Sequence, residues 1–252
     1  MTDTPSSYRT PVTETLRNHV SIRHYNGEVI PDGMLHEILN AARRSPTSSN
    51  IQGYTLIVVR NPNTKKQLAM LAGDQEHIET CDVFIAICAD IYRLSHAIRV
   101  HGKELARNLE TTLVSSIDAA LVGMSMATAA ESFGLGHVMI GGMRNHPRDV
   151  GELLGLPEGV YVVFGMCLGW PDEIPPQKPR LPEDLIIHYE RYDASDPTEK
   201  LKAHDFELAE HYRSLGRNLH GAAWTGVMTQ KFGTPRRPHL REALEAMGFR
   251  FD

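Results

Sequence analysis

The 252 residues are 41% hydrophobic and 23% charged, which is enough apolar material for a sizeable core without disulfide bonds. The net charge of −5 and the pI near 6.2 argue against a general nucleic-acid-binding protein. Three cysteines without a C-x-x-C pair, and an N-terminus without an apolar leader, predict a cytoplasmic protein with neither disulfides nor a zinc knuckle.

The most apolar long window runs from Leu113 to Ala130 and has nearly the length of a membrane span. Asp118 and several serines and threonines interrupt it, so we predict a buried helix and no membrane segment. Its many small residues favour close approach of a second helix, either in the core or at a subunit interface.

Hydrophobic periodicity and turn residues predict the remaining elements in chain order. Helices are predicted at Thr13–Val20, from Pro31–Asp32 onward, at Asn61–Gly73, over much of 91–110, at about 111–133, within Arg144–Gly159, and over most of the tail from Asp196. Strands are predicted at Tyr54–Val59, Cys81–Asp90, His137–Ile140 and Tyr161–Trp170, with a possible edge strand at Leu185–Asp193.

Helices outnumber strands and alternate irregularly with them, which favours an α+β layered fold over a regular doubly wound one. We expect a core at residues 1–195, with a helical excursion at about 91–110. Residues 196–252 are then a C-terminal helical arm that packs on the core or on a partner subunit.

Several common catalytic signatures are missing. Gly134–Met139 (GLGHVM) lacks the third glycine of the dinucleotide fingerprint, and its glycines precede the strand instead of following it. No P-loop, H-E-x-x-H or G-x-S-x-G motif occurs, and the thirteen histidines have no recognisable ligand spacing. We therefore predict no metal site and no Ser-His-Asp hydrolase.

Four segments combine cations, hydroxyls, amides and glycines. They are His19–Arg23 (HVSIR), Ser45–Gln52 (SPTSSNIQ), Met139–Arg144 (MIGGMR) and Gln177–Arg180 (QKPR). Each alone has a plain explanation: a helix exit, turn chemistry, a tight turn, or solvated charge. Together they suit a phosphorylated flat cofactor, because cations and hydroxyls bind phosphate while amides and glycine backbone meet a ring.

In this order and spacing the four segments, with C-L-G-W-P and K-P-R-L-P, resemble the nitroreductase-like FMN enzymes. The similarity runs from about Arg17 to Leu181 and more weakly through the tail. It is greatest to the NADPH-dependent flavin reductases and oxygen-insensitive major nitroreductases. The resemblance implies a layered sandwich with a central, mainly antiparallel sheet flanked by helices, in an intertwined homodimer with one non-covalent FMN in each of two interface pockets.

The resemblance also implies the cofactor contacts. They are His19, Val20, Ser21, Arg23, Thr47, Ser48, Ser49, Asn50, Gln52, Gln75, Met139, Ile140, Gly141, Gly142, Lys178 and Arg180. No side chain need act as a catalytic nucleophile, and Arg23 is the expected electrostatic stabiliser of reduced flavin. Lys178 and Arg180 would bind the phosphate, and which of Thr47, Ser48 and Ser49 faces the cofactor stays open.

The implied activity is transfer of hydride from NAD(P)H through FMN N5 to nitroaromatic, quinone or flavin acceptors by a ping-pong mechanism. NADPH would be the preferred reductant, although Leu215 and His220 stand where the resembled group has arginines. Arg213 and Arg217 are the candidates to replace them. The alternatives are an FMN storage or sensor module without efficient turnover, and a fold with an emptied pocket, against which the intact Arg23, Lys178 and Arg180 argue.

Overall fold

A computed structural model describes residues 8–217 and 223–252. The chain divides into two compact units. The first contains the chain up to Pro175 together with His239–Asp252, and the second contains Pro176–Pro238. The predicted boundary at residue 196 stays a prediction.

A four-stranded antiparallel sheet forms the centre of the first unit. Its strands are β1 (Tyr54–Val59), β2 (Val83–Asp90), β3 (Gly136–Ile140) and β4 (Val160–Gly169), in the spatial order β1-β2-β4-β3. All eight residues of β2 are buried, as expected for a central strand covered on both faces. The antiparallel pairing confirms the α+β class and the mainly antiparallel sheet.

Helices of the first unit cover both faces of the sheet. The helices of the described chain are, in order, α1 (Pro11–Arg17), α2 (Asp32–Ala42), α3 (Pro62–Leu71), α4 (Glu76–Thr80), α5 (Tyr92–Arg99), α6 (Leu109–Ser132), α7 (Pro147–Leu153), α8 (Thr198–Ser214), α9 (Thr225–Phe232) and α10 (Leu240–Ala246). Of these, α8 and α9 belong to the second unit. Capping residues begin several helices: the Asn108 side chain accepts from the backbone N–H of Thr111, and that of Asn61 from Asn63 and Thr64.

Helix α6 is the long apolar helix predicted from the sequence. By length and composition alone it could cross a membrane. However, one face is buried in the core through residues that include Asp118, Val122 and Met126. The opposite face leaves an apolar stripe exposed, at Leu113 (46%), Ile117 (54%), Leu121 (40%) and Met124 (47%).

Two predictions were wrong. The described residues of Leu185–Asp193 contain no strand: a 3-10 turn at Glu183–Leu185 precedes them, and the Asp193 N–H donates to Nδ1 of His188 at 2.7 Å, which turns the chain back on itself. The helical excursion at 91–110 is shorter than predicted, because α5 ends at Arg99 and Gly102 has a φ of +69°.

Candidate functional site

The first predicted segment, His19–Arg23, lies beside β3. Ser21 forms a parallel bridge with His137, and the Ile22 N–H donates to the His137 carbonyl at 2.9 Å. Ile22 also occupies the space above Gly136, where an added Cβ would lie 2.5 Å from its side chain. A glycine at position 136 is what allows this segment to approach the strand.

The His19 side chain turns away from the segment toward the C-terminal end of α6. Its Nδ1 lies 2.5 Å from Oε1 of Glu131, and Nε2 of the buried His137 lies 3.1 Å from the same oxygen. Burial alone would raise the pKa of Glu131, but its contacts with His137 and His19 outweigh burial and lower that pKa. Glu131 is therefore held as a carboxylate, and Val20 beside His19 is half-buried.

Arg23 carries an exposed charge on the same segment. The hydrogen bond described for its guanidinium is a long one, 3.5 Å from Nη1 to the Ser21 carbonyl. After burial, the Arg23 charge is the largest cause of the lowered pKa of His77, which places this cation close to α4. Nε2 of His77 is buried without a hydrogen-bond partner among the described residues.

Gln75, immediately before α4, packs against the glycine pair that follows β3. A Cβ added at Gly142 would lie 2.5 Å from Gln75 Nε2 and 2.5 Å from the Ala72 carbonyl oxygen, so only glycine allows this contact. A Cβ added at Gly141 would lie 3.5 Å from Nη2 of Arg144, an ordinary van der Waals distance. The Ile140 side chain is buried in the core, whereas Met139 is 36% exposed.

The loop before β1 is held in an unusual backbone conformation. Ser49, Asn50 and Gln52 have φ values of 46°, 57° and 51°. These lie in the left-handed region, which residues other than Gly and Asn rarely adopt. Their side chains and that of Ser48 are exposed, and Thr47 is half-buried. Such backbone costs about 1–3 kcal/mol per residue and persists where surrounding contacts enforce it, often at functional sites.

Two residues that the sequence did not identify as site residues enforce this conformation. Asp118 of α6 is 1% exposed, and its two oxygens accept from the backbone N–H groups of Ser48 (3.0 Å) and Gly53 (2.9 Å). Arg93 of α5 donates to the Gln52 carbonyl at 3.2 Å and to the Tyr54 carbonyl. The Asp118 carboxylate of α6, as acceptor, and the Arg93 guanidinium of α5, as donor, thus hold the loop through its backbone.

The loop and the His19 segment are anchored far apart in one chain. Their anchors on α6, Asp118 and Glu131, are thirteen residues apart, which is about 20 Å along a helix. The loop enters β1 and the glycine pair leaves β3, and these are opposite edges of the sheet, about 14 Å apart across three strand spacings. One chain therefore contributes two separate surfaces.

The second unit contains the remaining predicted residues. The Lys178 ammonium lies 5.5 Å from the centroid of the Tyr212 ring, and Arg180 is exposed. Arg213 forms an exposed ion pair with Glu210, and Arg217 is exposed. His220 lies outside the described residues.

Comparison with known proteins identifies the family of the chain. A sequence model of the nitroreductase family matches residues 16–170, and a model of the family's C-terminal domain matches residues 178–252. The chain belongs to the nitroreductase family. Within the family it falls in the group of oxygen-insensitive NADPH nitroreductases and NADPH-flavin oxidoreductases.

Individual nitroreductase-family relatives cover nearly the whole chain. An oxygen-insensitive NADPH nitroreductase of Salmonella typhimurium is 38% identical over 240 residues, covering 95% of this chain and 98% of that protein. An NADPH-flavin oxidoreductase of Vibrio harveyi is 34% identical over 235 residues, covering 93% and 96%. The structure of NfrA2 from B. megaterium matches with a TM-score of 0.92 at 35% identity, covering 97% of this chain and 100% of that one.

The role of Asp118 can be tested with Asp118→Asn, which keeps the side-chain shape but turns an amide NH₂ toward one of two backbone N–H groups. We expect a loss of about 1–3 kcal/mol in the free energy of unfolding, because a buried donor is left unsatisfied. Amide hydrogen exchange in residues 48–53 should accelerate. Asp32→Asn is the control, since the Asp32 side chain is 93% exposed; unchanged exchange in the loop of Asp118→Asn would contradict the anchoring role.

Proposed function

We propose that this nitroreductase-family chain is an FMN-dependent NAD(P)H oxidoreductase of the nitroreductase and flavin reductase type. The observation that carries the proposal is the grouping beside β3 of a cation, an amide and a glycine pair: Arg23, Gln75 and Gly141–Gly142. Relatives named as NADPH nitroreductase and NADPH-flavin oxidoreductase support the same activity.

The residues present fit FMN. The absence of a side chain at Gly141 suits a flat ring that approaches the backbone closely, and the exposed Arg23 guanidinium is available to an anionic group. The strained loop presents serine, asparagine and glutamine side chains outward, which suit the polar edge of a ring and a sugar chain.

FMN, when bound, accepts reducing equivalents from NAD(P)H and passes them to a second substrate. Arg23 supplies a fixed positive charge that favours the negative charge of the reduced cofactor. Ser21, Gln75 and the backbone of residues 139–142 orient the ring, and the side chain of Ile140 supports them from the core. Lys178 and Arg180 bind the phosphate, an assignment that rests on the sequence resemblance.

We propose that a second copy of the chain completes each site. The two surfaces of one chain are anchored about 20 Å apart on α6, too far to enclose one ring together. The exposed stripe Leu113, Ile117, Leu121 and Met124 runs along the face of α6 opposite the core, and a contiguous apolar helix face of this kind is typical of a subunit interface. A homodimer through α6 would bring the loop of one copy toward the His19 segment of the other.

NADPH is the proposed reductant, with Arg213 and Arg217 as candidates for its 2′-phosphate, and nitroaromatics, quinones or flavins are the proposed acceptors. In the described part of the chain both arginines are exposed, although Arg213 also pairs with Glu210. The second candidate is an FMN storage or sensor module, which would use the same binding residues without efficient turnover.

The visible spectrum of the purified protein tests the function. We expect flavin bands near about 370 and 450 nm that bleach when NADPH is added without oxygen. The ratio of kcat/KM for NADPH to that for NADH should exceed one. A yellow protein that neither nucleotide bleaches would favour the storage or sensor module. A colourless protein that does not take up added FMN would contradict both proposed functions.

The role of Arg23 is tested by Arg23→Ala. Removing a charge-assisted hydrogen bond worth about 1.5–3 kcal/mol should weaken FMN retention by about tenfold or more. Arg43→Ala is the matched control, because Arg43 is exposed just after α2 and its guanidinium donates to the side chain of Asn40 in the described part of the chain. Equal FMN dissociation constants and equal bleaching rates in the two variants would remove Arg23 from the site.

The interface is tested by Leu121→Glu, which places a charge in the middle of the exposed stripe. We expect the mass in light scattering to fall from that of two chains to that of one, and FMN to be lost with the partner. Val100→Glu provides the control, since Val100 is 80% exposed and lies outside α6. A dimeric Leu121→Glu that keeps its FMN would show that the stripe is not the interface.

A further inference from the structure

We propose that His19, Glu131 and His137 form a binding site for one divalent transition-metal ion of the zinc class. Three separate parts of the first unit supply the ligands: the segment after α1, the last turn of α6, and β3. One ligand atom of each residue lies within 4.8 Å of the others. Two imidazoles and one carboxylate are a ligand set that zinc uses with a water at the fourth position.

Hydrogen bonding accounts for only part of this cluster. His19 Nδ1 and Glu131 Oε1 form a hydrogen bond at 2.5 Å. His137 Nε2 lies 3.1 Å from the same oxygen, yet its geometry does not make it a hydrogen bond. Both nitrogens of His137 and Oε2 of Glu131 are buried without a hydrogen-bond partner among the described residues. A bound ion would satisfy Nε2 of His137 and the Glu131 carboxylate, whereas Nδ1 of His137 would still lack a partner among the described residues.

The distances are close to those a metal requires. Ligand atoms about 2.0–2.1 Å from a tetrahedral ion are about 3.3 Å from each other. The separation of Oε1 from His137 Nε2 is already near this value at 3.1 Å, and that from His19 Nδ1 needs to open from 2.5 Å by less than about 1 Å. The two rings are stacked, with centroids 5.0 Å apart and planes inclined by 23°, so both present an edge to the carboxylate.

The partial burial of the three side chains suits an ion that exchanges with solvent. The side chains of His137, Glu131 and His19 are 4%, 13% and 26% exposed, so the cluster opens on the His19 side. Water can therefore occupy the fourth position. Nδ1 of His137 has no partner among the described residues that would orient it, as metal-bound histidines usually have, so we expect moderate affinity instead of a permanently held ion.

The ion would act on the position of the His19–Arg23 segment. His19 is two residues from Ser21 and four from Arg23, so an ion that ties its ring to α6 and β3 also restrains these residues. It would take no part in electron transfer. The inference is therefore separate from the proposed oxidoreductase activity and can fail or succeed independently of it.

The test uses the full-length protein as purified, stripped with a chelator, dialysed, and then titrated with Zn²⁺ in competition with a chromophoric chelator. We expect one Zn²⁺ per chain. Glu131→Gln keeps the shape of the side chain but removes its charge and replaces one acceptor oxygen with an NH₂ donor. It should weaken this binding by about 100-fold or more, because loss of even an outer-shell partner costs about 10–100-fold. His137→Gln should weaken binding similarly.

The control is His101→Gln, the same change at an exposed histidine, which should leave Zn²⁺ affinity unchanged. Circular dichroism shows whether each variant folds. If His137→Gln does not fold, the result for Glu131→Gln alone decides. The proposal is overturned if the wild-type protein binds no Zn²⁺ after stripping, if Glu131→Gln binds it equally well, or if His101→Gln loses as much affinity. Bleaching of the stripped protein by NADPH reports separately on the oxidoreductase activity.

Discussion

Helix α6 carries two buried or half-buried carboxylates on which the candidate site depends. Asp118 accepts from both ends of the strained loop, and Glu131 binds the histidine that begins the first site segment. Each carboxylate hydrogen-bonds groups that would otherwise lack a partner in a place with little water. The loop and the His19 segment are therefore fixed relative to the core. The spacing between the two carboxylates, set by the rise of a helix, holds the loop and the His19 segment about 20 Å apart within one chain.

Much of the fold could be predicted from the sequence because its signals are local. The four strands were predicted within two residues of their observed bounds, since short apolar runs rich in β-branched residues leave few alternatives. The small residues of α6 were also noticed from composition, whereas its exposed apolar stripe was not predicted. The supposed edge strand at Leu185–Asp193 shows the limit: its apolar and aromatic residues have strand propensity, but no neighbouring strand pairs with it.

The site residues also divide into those that a local sequence motif indicates and those whose partners are distant in the sequence. Arg23, Gln75 and Gly142 belong to motifs that can be read in a line of sequence, and their grouping was expected from a resemblance. Asp118 was noticed only as an interruption of an apolar helix, because nothing local indicates that its partners are backbone N–H groups about 70 residues earlier in the chain. His19 and Glu131 are 112 residues apart, so no spacing rule for metal ligands could have related them.

A pocket completed by a second copy of the chain, as proposed above, would have a genetic consequence. If each pocket uses the loop of one chain and the Arg23 segment of the other, a chain damaged only in the loop and a chain damaged only at Arg23 are both inactive alone. A mixed dimer of the two would contain one pocket with both defects and one with neither. Co-expression would then restore about half of the wild-type activity per mixed dimer, which is complementation between two alleles of a single gene.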